Sequence, residues 1–346
     1  MENIVCTDFV PKEGWEFLRA LEACTGMPWR AVGYNNSGLR KGRASKIGRL
    51  SGYVAHAFGL FVHRGRYRRI VAWQQFYGLF FAFFSQIFRV KKRTSLIVMT
   101  FIYKEKKGLA GKLYRKFVRT AVCSDYVDAL IVFSRHEEEY YAEKLGVGKE
   151  KFFYLPLGTH SEVPKERTAL PLPEKFFLSV GRSNRDYDFL AALAPELPLP
   201  VVVLSDSWRP DAVPENLILL ANVGGEEYRK VLAACFAVLI PLDDPDISAG
   251  QLVMLQAMQF EKPLIVTQSR SAESYLQDGW NALVPPKQKQ AFLAAARRLA
   301  ADGALYGALA KNGLETYVSR HSLAALGTNV GKVVLTRGAF GKDNAL

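Results

Sequence analysis

One stretch of the chain, residues 238–267, constrains the fold more than any other. It reads VLIPLDDPDISAGQLVMLQAMQFEKPLIVT. A short apolar run (238–242) is followed by an acidic, then small-residue loop (243–251), apolar residues at helical spacing (252–260) and a second apolar run (263–266). This order predicts strand, loop, helix and strand. In such a unit the helix begins at the carboxyl edge of a parallel sheet, where unpaired backbone N–H groups can hold a phosphate.

The same alternation of apolar runs and helical patterns continues on both sides of a polar, proline-bearing segment at 161–173. Alternating strands and helices are typical of parallel sheets that are covered on both faces. We therefore predict an α/β protein with two doubly wound, Rossmann-like domains facing across a cleft. The predicted domains are residues 1–160 and 161–330, followed by a tail (331–346) that returns to the first domain.

Three segments of the first domain carry further predictions. Residues 35–49 are polar, basic and glycine-bearing, which favours a surface loop. Residues 95–103 form an apolar run that predicts a strand. Residues 74–88 (QQFYGLFFAFFSQIF) are strongly apolar but shorter than the roughly 20 residues of a membrane span. We interpret them as a buried crossover helix, with an interfacial helix as the alternative.

The net charge of +13 is concentrated in the first domain. Residues 1–160 contain 27 Lys and Arg against 13 Asp and Glu, whereas the rest of the chain contains 19 and 20. No acidic residue occurs between Glu22 and Glu105. Such a surface binds anionic lipid, nucleic acid or an acidic acceptor, or is simply solvated. We predict an anionic membrane surface as a partner, because the cations flank apolar helices. We predict no nucleic acid, because no nucleic-acid-binding motif occurs.

The cysteines and the first residues indicate the compartment. The four cysteines show neither paired nor metal-type spacing, which favours buried thiols in a reducing compartment over disulfides. The start, MENIVCTDFVPKEGW, lacks the basic region and apolar run that are typical of a secretory signal. We expect a cytoplasmic protein that is peripheral at the inner membrane face.

Two glycines mark a candidate anion site. Gly181 follows the apolar run at 176–180, and Arg182 and Arg185 beside it offer forked donors suited to a diphosphate. A turn with solvated arginines is the alternative for this segment. Because the carboxyl ends of parallel strands share one edge, we expect Gly181 to lie near Gly250. Hydroxyl and amide donors for an anion are expected next to Gly250, at Ser248 and Gln251. Three acids precede them and are interpreted as turn and N-cap residues rather than catalysts: Asp243, Asp244 and Asp246.

Four segments, in this order, resemble the C-terminal nucleotide-sugar domain of GT-B glycosyltransferases, the superfamily that includes glycogen synthases and many mannosyltransferases. They are LSVGRSNRDY, the turn at 222–227, the stretch at 238–267 and AESYLQDGWNALVPP. The resemblance covers about residues 150–315. It implies transfer of a sugar, in a hexosyltransferase reaction, from a nucleotide-sugar to a lipid-linked or carbohydrate acceptor during glycan or polysaccharide synthesis. The acceptor would bind mainly to the N-terminal domain. The nucleotide-sugar is then a substrate, and we predict no cofactor and no metal.

The resemblance implies which residues hold the donor diphosphate. Arg182 and Arg185 match the basic positions of the family, although a lysine is more usual near the second. Gly250 and Gln251 match the loop that meets the phosphates and the sugar, and Gly181 ends the strand beside them.

Two positions depart from the family. Ser248 and Gln256 stand where many relatives carry glutamate, on the donor sugar and the ribose respectively. Serine and glutamine can hydrogen-bond neutral hydroxyls, but both negative charges are lost. A cap and a helix face are the alternative roles for the pair. The turn that begins with Asn222 and Val223 is expected at the nucleobase.

Catalytic residues are not predicted. The five histidines are isolated in sequence, and the choice between retention and inversion of configuration stays open. Two hypotheses follow: an active GT-B glycosyltransferase, and a GT-B-shaped nucleotide- or glycan-binding protein that lost catalysis. The second is motivated by Ser248 and Gln256.

Overall fold

The computed structural model describes residues 1–34, 43–245 and 249–337. It divides into two compact units: residues 1–155 together with the segment from Leu323 onward, and residues 156–322. The predicted boundary at residue 160 lies a few residues after the observed one. The chain returns to the first unit at Leu323, before the predicted tail at 331–346, because a helix beginning there packs on that unit. Residues 338–346 of the tail lie outside the described residues.

The first unit contains a six-stranded, fully parallel sheet in the order β2-β1-β3-β4-β5-β6. Its strands are β1 (Glu2–Thr7), β2 (Arg30–Gly33), β3 (Tyr67–Ala72), β4 (Ser95–Val98), β5 (Ala129–Val132) and β6 (Phe152–Tyr154). Its helices are α1 (Glu16–Thr25), α2 (Arg43–Val62), α3 (Gln75–Ile87), α4 (Gly108–Val122), α5 (Arg135–Leu145) and, from the end of the chain, α12 (Leu323–Arg337).

Helices cover both faces of this sheet. Tyr77 of α3 is buried with α2, α4 and α5 against one face. Phe17 of α1 and Val330 of α12 are buried against the other. The two helices approach closely at Gly327, where a Cβ atom would lie 2.3 Å from the carbonyl oxygen of Phe17. The glycine therefore permits the docking that returns the chain to this unit.

The second unit contains a five-stranded parallel sheet in the order β11-β10-β7-β8-β9. Its strands are β7 (Phe177–Val180), β8 (Val201–Leu204), β9 (Leu217–Leu220), β10 (Ala237–Ile240) and β11 (Leu264–Val266). Its helices are α6 (Tyr187–Leu193), α7 (Gly225–Ala234), α8 (Gln251–Gln259), α9 (Arg270–Glu273), α10 (Lys289–Ala301) and α11 (Gly303–Thr316). The predicted α/β class with two doubly wound sheets is confirmed.

Two predictions in the first unit were wrong. Residues 43–49 are not a loop but the start of α2, whose later residues Ala57 and Leu60 are buried in the core. The rest of that predicted loop, residues 35–42, lies outside the described residues. The strand predicted over 95–103 ends at Val98, because Thr100 adopts a left-handed φ of 56°.

The apolar segment at 74–88 forms helix α3, and its Tyr77 and Leu79 side chains are buried in the core. Its ends at Gln75 and Ile87 make it shorter than a bilayer-spanning helix. Among the described helices, none is both long and apolar enough to cross a membrane.

The chain enters and leaves the second unit at one hydrogen-bonded contact. The imidazole of His321 is fully buried, and its Nδ1 lies 2.9 Å from the carbonyl oxygen of Leu157. The Thr159 N–H donates to the His321 carbonyl at 2.9 Å, and the Tyr317 hydroxyl donates to the Thr159 carbonyl at 2.8 Å. Because a carbonyl accepts from Nδ1–H, Nε2 carries no proton, and it has no partner among the described residues.

Candidate functional site

The candidate site lies where the strand order of the second unit reverses. The chain proceeds from β7 outward to β8 and β9, then returns to the other side of β7 with β10 and β11. A ligand in a doubly wound sheet binds at the carboxyl edge beside such a reversal. Gly181 follows β7, and the loop that leads to Gly250 and helix α8 follows β10. The fold therefore brings the two predicted glycines to one edge.

The Arg185 side chain occupies the space between these glycines. Its Nε donates to the Val180 carbonyl at 3.1 Å and its Nη1 to the Ser183 carbonyl at 3.1 Å. A Cβ atom on Gly181 would lie 2.7 Å from Nε and Nη2, and one on Gly250 would lie 3.5 Å from Nη1 and Nη2. The guanidinium is thus seated directly against both backbones.

Burial gives this guanidinium an unusual environment. Desolvation lowers the pKa of Arg185, but arginine keeps its proton at any pH a protein experiences. No carboxylate pairs with it among the described residues, and Nη2 has no hydrogen-bond acceptor there either. A half-buried cation with spare donors is a strong site for an anion.

Helix α8 begins at the same place. Gly250 is its N-cap with a left-handed φ of 91°, and it has no side chain to cap the first turn. The helix therefore presents backbone N–H groups and the positive end of its dipole at the edge where the Arg185 guanidinium lies. Gln251 is the first residue of that turn. Ser248 lies outside the described residues.

The acidic loop before α8 is held by side chains of the second unit. The Asn184 amide donates to the Asp244 carbonyl and accepts from the Asp244 N–H, both at 2.8 Å. Lys287 pairs with Asp186 at 2.6 Å and with Asp243 at 3.2 Å. Asp186 in turn caps α6 by accepting from the Phe189 N–H at 2.8 Å. Asp243 and Asp244 therefore hold the turn, as expected, and Asp246 lies outside the described residues.

Arg182 is placed differently from Arg185. Its side chain is 80% exposed, and its Nη2 lies 2.7 Å from the Asp206 carboxylate. Asp206 also accepts from the Asn222 N–H at 2.8 Å, and these two hydrogen bonds lower its pKa. The structure thus joins Arg182 to the predicted nucleobase turn, where Asn222 has a left-handed φ of 60° and Val223 packs on the core.

The Gln256 side chain is engaged by the protein at both ends. Its Oε1 accepts from the Tyr228 hydroxyl at 2.8 Å, and its Nε2 donates to the Ser161 hydroxyl at 2.8 Å. The backbone of Ser161 is bound to the Gln259 side chain through its N–H at 2.9 Å and its carbonyl at 2.8 Å. Helix α8 is therefore fastened to the segment that follows the start of the unit.

Sequence reasoning missed Tyr228, Ser161 and Gln259 as neighbours of the site. Tyr228 follows the Gly224-Gly225 helix start by one turn, so its helical position was available as a signal. Ser161 begins the polar, proline-bearing segment between the two predicted domains, and nothing in its sequence neighbours predicts contact with a helix far along the chain.

A comparison with protein families identifies this part of the chain. Residues 182–302 match the family model described as "Glycosyl transferases group 1". The matched region contains Arg182, Arg185, Gly250 and Gln256, so the candidate site lies within it. The resemblance predicted from the sequence is confirmed. A search of curated protein sequences finds no match.

Solved structures show that the likeness of fold extends over nearly the whole chain. HepE from Anabaena in complex with UDP has a TM-score of 0.62 at 13% identity, with 96% of this chain and 99% of HepE covered. Sucrose-phosphate synthase from Thermosynechococcus elongatus has a TM-score of 0.64 at 17% identity, with 96% and 98% covered. WaaG, a glycosyltransferase involved in lipopolysaccharide biosynthesis, has a TM-score of 0.55 at 14% identity, with 96% and 100% covered. The fold is that of GT-B glycosyltransferases.

Proposed function

We propose that this protein is a glycosyltransferase that moves a sugar, a hexose in the first instance, from a nucleotide-sugar to a lipid-linked or carbohydrate acceptor in glycan or polysaccharide synthesis. The observation that carries the proposal is the Arg185 guanidinium, seated between Gly181 and Gly250 at the first turn of α8 within a group 1 glycosyltransferase domain.

This arrangement suits the chemistry of glycosyl transfer. As the bond between the sugar and the diphosphate breaks, negative charge grows on the leaving phosphate oxygen. A fixed guanidinium and a helix N-terminus stabilise that charge without reorganising. Arg182 offers a second cation, which would exchange its contact with Asp206 for one with the diphosphate. No general base is assigned.

The structural neighbours suggest which donors to test first. HepE has been crystallised with UDP and with UDP-glucose, and WaaG acts in lipopolysaccharide synthesis. We therefore favour a UDP-sugar donor and a lipid-linked or saccharide acceptor. Asn222 and Val223 would contact the base, and Ser248 and Gln256 the sugar and ribose. Gln256 reaches the ribose only if it gives up one of its two present hydrogen bonds.

The test is nucleotide release with a panel of UDP-, GDP- and ADP-sugars, together with binding of the free diphosphates by calorimetry. Arg185→Ala should weaken diphosphate binding about 10- to 100-fold, the worth of one charge-assisted hydrogen-bonding group. Lys311→Ala, at an exposed residue of α11, is the control and should bind as the parent protein does. Unchanged binding by a folded Arg185→Ala variant would remove the phosphate role of this residue.

A catalytically inactive nucleotide- or glycan-binding protein of the same fold is the second candidate. It is favoured by the neutral Gln256, whose amide is already bound by Tyr228 and Ser161. Diphosphate binding without turnover of any donor in the panel would establish this candidate. Measurable sugar transfer would exclude it.

A peripheral position at the cytoplasmic face of the inner membrane completes the proposal. Its support is the excess of cations in residues 1–160 and the preference of anionic leaflets for Lys and Arg, each worth about 1 kcal/mol near the surface.

A further inference from the structure

A patch of exposed apolar side chains lies where helices α2 and α3 end. We call it the α2–α3 tip and define it by Phe58, Val62, Ile87 and Phe88. These side chains are between 45% and 59% exposed. The patch is continuous with the core, since the Phe88 ring stacks on the buried Phe61 ring with centroids 5.4 Å apart. Clustered exposed apolar groups on a stable fold mark an interaction surface.

A cationic cavity of about 460 Å³ opens beside the tip. Val62 belongs to both the patch and the cavity wall. The cavity also has Phe81 and Val90 in its wall and the cations Arg64, Lys91 and Arg93 at its lining. Lys91 and Arg93 are exposed and form no ion pair with any described residue. Their charges are therefore available to an anion.

Acidic residues near the cavity do not balance these cations. No Asp or Glu occurs between Glu22 and Glu105, an interval that includes every residue of α2 and α3. Asp128, just before β5, is paired with Lys92 at 2.6 Å. The exposed Asp125 adjoins the lining residue Tyr126, and one carboxylate does not offset Arg64, Lys91 and Arg93. The surface around the tip thus joins exposed apolar groups to surplus positive charge.

The combination of apolar side chains and positive charge indicates which partner the α2–α3 tip binds. A second copy of the chain would place cations against cations, so self-association through this face is unfavourable. An anionic bilayer satisfies both features: apolar side chains enter the interface, and the cations meet lipid phosphates. We propose that the α2–α3 tip docks on anionic membrane and that the cavity receives a phospholipid headgroup. The inference rests on the peripheral location proposed above but not on the transfer reaction.

A headgroup in this cavity would leave the carboxyl edge of the first sheet accessible to other ligands. The cavity is lined by Thr94, immediately before β4, and the Thr94 hydroxyl lies 3.0 Å from the carbonyl oxygen of Tyr67, the first residue of β3. It therefore lies at the amino edge of this parallel sheet, whereas ligands of doubly wound folds bind at the carboxyl edge. A headgroup in the cavity would not compete with an acceptor.

Helix α4 provides a matched control surface. Leu109 and Leu113 are exposed there beside Lys112 and Lys116. One acid, Glu105, precedes this helix, and it pairs with Lys144 at 3.3 Å. Its most exposed apolar groups, Leu109 and Leu113, are aliphatic, whereas Phe58 and Phe88 of the tip are aromatic rings, which favour the membrane interface. The same kinds of substitution in both surfaces show whether vesicle binding depends on the α2–α3 tip or only on the positive charge of the whole first unit.

The experiment is sedimentation of the full chain with two kinds of vesicle. One contains phosphatidylcholine alone, and the other also contains phosphatidylglycerol at about 30%, to imitate an anionic leaflet. Lys91→Ala/Arg93→Ala should weaken binding to the anionic vesicles about 30-fold, at about fivefold for each cation. Lys112→Ala/Lys116→Ala should weaken it less than about threefold. Ile87→Ser/Phe88→Ser should weaken it at least about tenfold, and Leu109→Ser/Leu113→Ser should have little effect.

Several outcomes would overturn the docking site. They are no sedimentation with anionic vesicles, equal binding to neutral vesicles, or α4 variants as weak as the tip variants. Release of the protein by glycerol 1-phosphate, beyond that caused by sodium chloride of equal ionic strength, is expected if the cavity holds the headgroup, and its absence would remove the headgroup from the cavity. Turnover of a soluble donor by the tip variants, measured without vesicles, should equal that of the parent. Vesicle binding by a protein that turns over no donor would leave the docking site standing and the proposed reaction refuted.

Discussion

Gly181→Ala is the most direct test of the site, because it alters the seat of Arg185 without removing a charge. Gly181 has a φ of 139°, outside the region that alanine occupies without strain. The added methyl would also lie 2.7 Å from Nε and Nη2 of Arg185. These atoms belong to the end of a flexible side chain, so the guanidinium moves rather than the backbone.

The expected magnitude follows from those two effects. The strained φ costs about 2 kcal/mol, and loss of the hydrogen bond from Nε to the Val180 carbonyl costs about 1 kcal/mol. We expect the free energy of unfolding to fall by about 3 kcal/mol. Displacement of the guanidinium should weaken binding of a nucleoside diphosphate about 10- to 100-fold, since one charge-assisted contact is lost.

Gly279→Ala is the matched control. Gly279 also has a positive φ, 70°, but a Cβ atom there would meet nothing within 4 Å. Its substitution should cost about 1 kcal/mol of stability and leave diphosphate affinity unchanged. Urea unfolding measures stability and calorimetry measures affinity. If the Gly181 variant binds diphosphate as tightly as the Gly279 variant does, Arg185 does not hold the phosphates.

Two further predictions concern residues held inside the second unit. Gln256→Glu should be tolerated, with a change in melting temperature of a few degrees at most, because both neighbours of its amide are hydroxyls that can donate to a carboxylate. A large loss of stability would show that the amide itself is required. Burial lowers the pKa of His321 to about 4, below its usual 6.5, so its contribution to stability is complete above about pH 6.5 and falls as the pH drops toward 4. Urea unfolding at pH 7 and pH 5 should show a loss of about 2 kcal/mol that is absent in His321→Gln; an equal loss in the variant would assign the pH dependence elsewhere.

Much of the fold was predictable because the buried strands of parallel sheets appear in the sequence as short apolar runs. Strands β8 and β9 are short apolar runs between turn-forming segments, which is the pattern that predicts a buried strand. The first residues of helix α2, 43–49, were predicted as part of a loop. Its basic first residues resemble a loop, but the helix extends through them because its later turns pack on α3. Composition describes the solvent face of a helix and not the packing that stabilises it.

The site was predictable to the same degree. The approach of Gly181 to Gly250 follows from one rule, that parallel strands share a carboxyl edge, and the structure shows both glycines against Arg185. The difference between the two arginines did not follow. Arg182 and Arg185 are three residues apart in a loop, and only tertiary contacts decide that one pairs with Asp206 and the other is seated over glycine backbone. Contacts of this kind have no periodicity to detect.

Serine at 248 and glutamine at 256 remove two negative charges relative to the family that the sequence resembles, which matters for the proposed diphosphate site. In a site with two glutamates, their negative charges offset the attraction between the cations and a diphosphate. This chain has serine and glutamine instead, while Arg185 has no carboxylate partner among the described residues. Under the proposed function, the absence of these two negative charges favours retention of a diphosphate, donor and product alike. Such binding lowers KM without raising kcat, and it slows product release. For the proposed transferase we therefore expect tight diphosphate binding and a slow turnover.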